Sequence, residues 1–147
     1  MFKHIITPIS DDAITKSELK QVIKLALLDK AKMTLVYVSD PIGPYMYADS
    51  TASIVISEKE HQEACNKFAK KLFIKAKAQI PEEITVDTVH IFHPNIADGI
   101  IDAAKSMGAD VICMASHKRT GISGFFLRSE SHEVILHSQL PVLILNS

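Results

Sequence analysis

Short runs of almost wholly apolar residues alternate along this chain with longer stretches whose apolar residues recur every three or four positions. His4-Ile5-Ile6-Thr7-Pro8-Ile9 is the first such run and predicts a buried strand closed by Pro8. Asp11 and Asp12 then offer N-cap oxygens to a helix over about residues 13–30, with Leu19, Val22, Ile23, Ala26 and Leu27 on one face. Met33 to Ser39 is β-branched and aromatic, and predicts a second strand. Ser57 and Glu60 form a capping box. The helix they open carries Ala64, Cys65, Phe68, Leu72 and Ala76 on its apolar face and runs to about Gln79, where Pro81 blocks continuation. Ile84 to Phe92 predicts a third strand, and Asn95 to Gly108 a helix with Ile96, Ile100, Ile101, Ala104 and Met107 along its face. Val111 to Ala115, with hardly a polar side chain, reads as a fourth strand covered on both faces. A short helix over Ser129–His137 and a last strand over Pro141–Leu145 complete the chain.

Five strands therefore alternate with four helices. That order predicts an α/β fold: one doubly wound domain with a five-stranded parallel sheet and helices on both faces. No linker or repeat divides it. Residues 40–57 break the pattern, with Pro41, Gly43 and Pro44 marking a long loop that carries Tyr45, Met46 and Tyr47.

Composition narrows the function without choosing it. Apolar residues make up 47% and charged residues 22% of 147 residues, the balance of a globular chain. A net charge of −1 gives no bulk attraction to nucleic acid or to an anionic membrane. No apolar run approaches the roughly 20 residues needed to cross a bilayer, and MFKHIITPIS has neither the apolar core nor the cleavage site of a signal peptide. Cys65 and Cys113 are the only cysteines and are widely spaced, so a cytoplasmic, thiol-reduced protein is expected.

Four segments together carry a resemblance: the opening KHIITPISDDA, the strand MTLVYVSDP, the run ADVICMASHKRTGISGFFLRSESHEVILHS and the terminal LPVLIL. In this order, over nearly the whole chain, they resemble the universal stress protein family. The resemblance implies an adenine nucleotide alpha hydrolase-like fold, a homodimer formed through the last strand, here Val142–Leu145, and in many members an ATP held at the carboxyl ends of the strands. Carried onto this chain, the implied pocket comprises Pro8, Ile9 and Ser10 after the first strand and Val38 at the end of the second. Met114, Ala115, His117 and Lys118 continue it at and beyond the fourth strand, and Arg128, Ser129, Glu130 and Ser131 close it at the last helix.

ATP-binding members show Gly, two residues, Gly, nine residues, Gly, then Ser or Thr at this place. Here the three glycines fall on Ala115, Lys118 and Arg128, and only the hydroxyl of Ser129 is kept. A phosphate loop works by presenting backbone N–H groups, and glycine allows both positive φ and close approach. Ala115 adds one methyl group. Lys118 and Arg128 add bulk, at a cost of about 1 kcal/mol each wherever positive φ is required. Against this, Lys118, Arg119 and Arg128 bring cations that bind phosphate by charge. The ribose position, commonly Asp in nucleotide-binding members, is Ser10, beside Asp11. Val38 matches a position that meets adenine through its backbone.

Seven histidines invite a metal reading, with His61 and Cys65, His90 and His93, and His132 and His137 as the nearest pairs, but none gathers a third ligand in sequence. No nucleophile elbow, Walker A loop or HExxH is present. Three readings follow. The first is a stress-response binding or regulatory module with ATP binding weak or absent, acting through unidentified protein partners. The second is a nucleotide switch using Lys118, Arg119 and Arg128 on the phosphates of ATP or another adenine nucleotide. The third is a slow ATPase built on the second.

Overall fold

A computed structural model of the chain describes residues 1–10, 13–42, 57–116 and 130–146. The strands are β1 (His4–Pro8), β2 (Lys32–Ser39), β3 (Val86–Phe92), β4 (Val111–Ser116) and β5 (Val142–Asn146). The helices are α1 (Ala13–Asp29), α2 (Glu58–Lys77), α3 (Ile96–Met107) and α4 (Glu130–His137). The strands form one parallel sheet in the order β3-β2-β1-β4-β5. The predicted order of elements is observed, with ends moved by one or two residues. The predicted caps at Asp11 and Asp12 and the tyrosine-bearing loop lie outside the described residues.

Alternation along each strand divides the core in two. Ile5, Met33, Leu35, Val111 and Cys113 face one way and pack with Leu19, Val22 and Ala26 of α1 and Leu72 and Ala76 of α2. Ile6, Val36, Ile112 and Met114 face the other way and meet Ala97, Ile100, Ala103 and Ala104 of α3 and Val134 of α4. Each large apolar side chain so buried contributes about 1.5–3 kcal/mol. Both faces of β1 and β4 are covered, which is why they read as unbroken apolar runs.

Local chemistry sets the helix ends. The Glu60 N–H donates to Ser57 Oγ at 3.2 Å and the Asp98 N–H to Asn95 Oδ1 at 3.0 Å, as the sequence predicts. Gly108 closes α3 with φ of 73°, a left-handed conformation that costs other residues about 1 kcal/mol.

The predicted helix faces need correction. Leu27 is 42% exposed, because the covered stripe of α1 runs through Leu19, Val22 and Ala26. Phe68 and Ile96 are likewise about two-fifths exposed, and Ala64 is exposed; Ala69 of α2 and Ala97 and Ala103 of α3 take the contact positions instead. Small residues fill these stripes because the helices lie close to the sheet, where a larger side chain would hold them off.

Candidate functional site

The chain leaves β1 toward β2 on one side, while β4 joins β1 on the other. A parallel sheet opens a crevice at the carboxyl ends of its strands where the order reverses in this way, and ligands of such folds bind there. A cavity of about 190 Å³ occupies that place.

Each wall follows from an element that ends there. Pro8 closes β1, and the next N–H, of Ile9, still donates to the Val36 carbonyl at 2.9 Å. Pro8, Ile9 and Ser10 thus form one wall, opposite Met114 and Ala115 of β4. Val36, Tyr37 and Val38 of β2 extend the wall, and Ile96 and Ile100 of α3 roof it. α3 comes this near because Gly99 has no side chain: a Cβ there would lie 2.8 Å from Val38 Cγ1 and 3.2 Å from His93 Cβ. Glu130, at the start of α4, and Glu18, from α1, complete the lining.

Seven of the twelve residues predicted for the pocket line this crevice: Pro8, Ile9, Ser10, Val38, Met114, Ala115 and Glu130. Ser131 is buried in α4 and is not part of the lining. His117, Lys118, Arg128 and Ser129, with Arg119, lie outside the described residues.

Sequence reasoning missed Val36, Tyr37, Ile96, Ile100 and above all Glu18. That carboxylate is only 4% exposed and accepts a hydrogen bond from the buried Thr7 hydroxyl at 3.1 Å. Its signal was in the chain. Glu18 stands four residues before Val22 on the covered stripe of α1, where an acid is not expected without a role.

The electrostatics of this region are those of a low-dielectric interior. Burial pushes the Cys113 thiol up to about 12, and the charge of Glu18 adds to the shift, so Cys113 is unreactive.

A second polar group sits on the α2 face of β2 and β3. His90 Nε2 is 2.7 Å from Ser39 Oγ and its Nδ1 is 2.8 Å from Asn66 Oδ1. Asn66 Oδ1 only accepts, so Nδ1 donates, and in the neutral ring Nε2 accepts from the serine. Burial holds His90 below the usual histidine value and keeps it neutral. Ser39 is 6% exposed, so its hydroxyl belongs to the seam between helix and sheet. His61 and Cys65 lie beside it on α2, 3.6 Å apart, with His61 Nε2 donating to the Asp40 carbonyl at 2.8 Å. Among the described residues no three His, Cys, Asp or Glu side chains are placed to hold one metal ion.

Comparison with known proteins agrees with this architecture. The universal stress protein MJ0531 of Methanocaldococcus jannaschii is 26% identical, over 98% of this chain and 82% of its own length. The solved structure of the hypothetical protein MJ0577 matches all of this chain and 97% of its own, with a TM-score of 0.77 at 22% identity. A universal stress protein of Archaeoglobus fulgidus, solved in complex with dAMP, matches 97% of this chain and 96% of its own, with a TM-score of 0.65 at 19% identity. The family model described as the universal stress protein family matches residues 1–146. With that coverage, and with the five-stranded parallel sheet already seen, this chain belongs to the universal stress protein family.

Proposed function

We propose that this chain is a stress-response binding and regulatory module, a single domain working as a cytoplasmic homodimer, whose crevice takes an adenine ligand but holds ATP weakly or not at all. The observation that carries this reading is the crevice at the reversal between β1 and β4, where apolar residues such as Ile9, Val38, Ile100 and Met114 stand with the polar Ser10, Glu18 and Glu130. An adenine ring is a flat apolar body with polar edges, and such a lining suits it. The dAMP complex of the Archaeoglobus fulgidus relative supports the same class of ligand.

Weak ATP binding follows from the phosphate end. Ala115, Lys118 and Arg128 stand where ATP-binding members have glycine, and the described lining carries two carboxyl side chains, Glu18 and Glu130. The homodimer reading rests on β5, which ends the sheet and leaves one edge unpaired in a single chain. Leu143 on that strand is 39% exposed, and pairing with a second copy would cover the edge. Cys65 and Cys113 are both free thiols, as a reducing compartment requires. Among the described residues no helix is long and apolar enough to cross a membrane.

The test is to denature the purified protein and chromatograph what it releases, then titrate the protein with AMP and ATP. AMP binding with no ATP carried through purification supports the proposal. ATP released in near-equal amount to protein overturns it. A monomer in sedimentation at micromolar concentration would overturn the dimer.

A further inference from the structure

We infer that Cys65 and His61 form a thiol modification site, where a hydroperoxide oxidises Cys65 to a sulfenic acid and His61 is the base that takes the thiol proton. The site lies under α2 and is independent of the adenine crevice.

Three observations carry it. Cys65 continues, at helical spacing, the stripe of Ala69, Leu72 and Ala76 that α2 turns to the sheet, yet it is only half-buried. Its sulfur therefore sits at the rim of the helix–sheet contact, where a small molecule can meet it. His61, one turn earlier, lies against that sulfur, with Sγ 3.6 Å from Nε2 and 3.9 Å from Nδ1. The Asp40 carbonyl, 2.8 Å from Nε2, only accepts, so Nε2 carries the hydrogen. Nδ1 of the neutral ring then holds the lone pair that takes the thiol proton. A nucleophile, a base and a third group that fixes the base are the parts of an activated thiol. Lastly, the other ionisable side chains nearby are already held. His90 has Ser39 Oγ at Nε2 and Asn66 Oδ1 at Nδ1. Burial first, and then the charge of Cys65, push Tyr37 up, so the tyrosine near the sulfur keeps its proton.

The step balances. Nδ1 takes the thiol proton as sulfur attacks the terminal peroxide oxygen. The S–O bond forms, the O–O bond breaks, and the departing oxygen takes the proton from His61 to leave as water or an alcohol. Sulfur loses two electrons and the hydroperoxide gains them. Cys113, the other cysteine, is fully buried on β4, so a small thiol resolves the sulfenic acid, giving a mixed disulfide and water.

The experiment treats the reduced native protein with hydrogen peroxide, traps the sulfenic acid with dimedone and maps the adduct by peptide mass spectrometry. Cys65 is expected to carry the adduct and Cys113 is not. At neutral pH the Cys65 thiol should be lost at least about tenfold faster than that of glutathione. His61→Gln is expected to lose that tenfold advantage. Near about pH 10, where a free thiol ionises without a base, the variant should match the unmodified protein. No adduct at Cys65, a rate equal to that of glutathione, or an unchanged rate in the variant overturns the site. A loss that persists at the higher pH overturns the role of His61, which would then act on structure alone. Circular dichroism melts check folding. His61→Asn serves as the second variant, and if both variants unfold the rate of the unmodified protein against glutathione decides.

Discussion

The two faces of the sheet hold their helices by different means. α3 lies on its face through Ala97, Gly99, Ile100, Ala103 and Ala104, a stripe of small residues with one large one. α2 buries only Ala69, Leu72 and Ala76. Toward its amino end it is fastened by the polar seam of Ser39, His90 and Asn66, with Tyr37 and Phe68 rings 5.7 Å apart beside it. One face is held by steric fit and the other partly by hydrogen bonds. Fit responds to volume. A neutral histidine in a seam responds to protons. The crevice is roofed by the close-packed helix, so its shape depends on fit, while the carboxyl groups among its described residues come from α1 and α4.

Perturbations of the α3 face should be the most costly. Ile100→Ala, at a side chain only 1% exposed, should destabilise by about 2–5 kcal/mol in urea unfolding and open the roof of the crevice. A loss under about 1 kcal/mol would mean that α3 is not packed as described. Gly99→Ala comes next. Helix propensity favours alanine by roughly 0.5–1 kcal/mol, but its Cβ would lie 2.8 Å from the stiff Val38 side chain. Overpacking of about 1–3 kcal/mol should win, leaving a modest net loss of stability together with weaker adenine binding. A more stable variant with unchanged binding would show that α3 can shift.

On the α2 face the expected effect is smaller and depends on pH. His90 in the folded protein sits below the ordinary value of 6.5. The unfolded chain therefore binds its proton at a higher pH than the folded one, and stability falls as pH drops from about 6.5. Asp29 and Asp87 act in a different window. The Phe2 N–H lowers the first and the Lys32 ammonium the second, so their contributions are present above about 3.8 and are lost below it. Equilibrium unfolding from pH 7.5 down to 5 should show a loss of stability that His90→Asn abolishes. The same slope in the variant would place its source elsewhere.

The smallest expected effect leaves stability untouched and separates the two thiols. Cys65, half-buried on α2, should react with a thiol reagent in the native protein, and Cys113 only on unfolding. Equal reaction of both in the native protein would contradict the burial of β4.

Much of this was legible in the sequence, and where it was not the reason is physical. The element order follows from periodicity, and the caps at Ser57, Asn95 and Gly108 from residue type. The helix faces were misjudged at Leu27, Phe68 and Ile96 because large apolar residues draw attention, whereas close helix–sheet contact selects alanine and glycine. The strand-end residues of the crevice were implied by the family resemblance, and they meet because strand ends lie together in a parallel sheet. Ile96 and Ile100 were not, since their place depends on how near Gly99 lets α3 approach. Glu18 was visible as an acid on a covered stripe, but only the crossing of α1 with β1 and β4 turns that anomaly into a wall of the crevice.

The central claim is that an adenine ligand enters between the ends of β1 and β4 and not at the polar seam under α2. The most direct test is a two-dimensional ¹H–¹⁵N titration with AMP. Shifts centred on the amides of Ile9, Ser10, Val38 and Ala115, with Asn66 and His90 unmoved, are the result predicted. Shifts confined to the α2 seam, or none at saturating AMP, would contradict it.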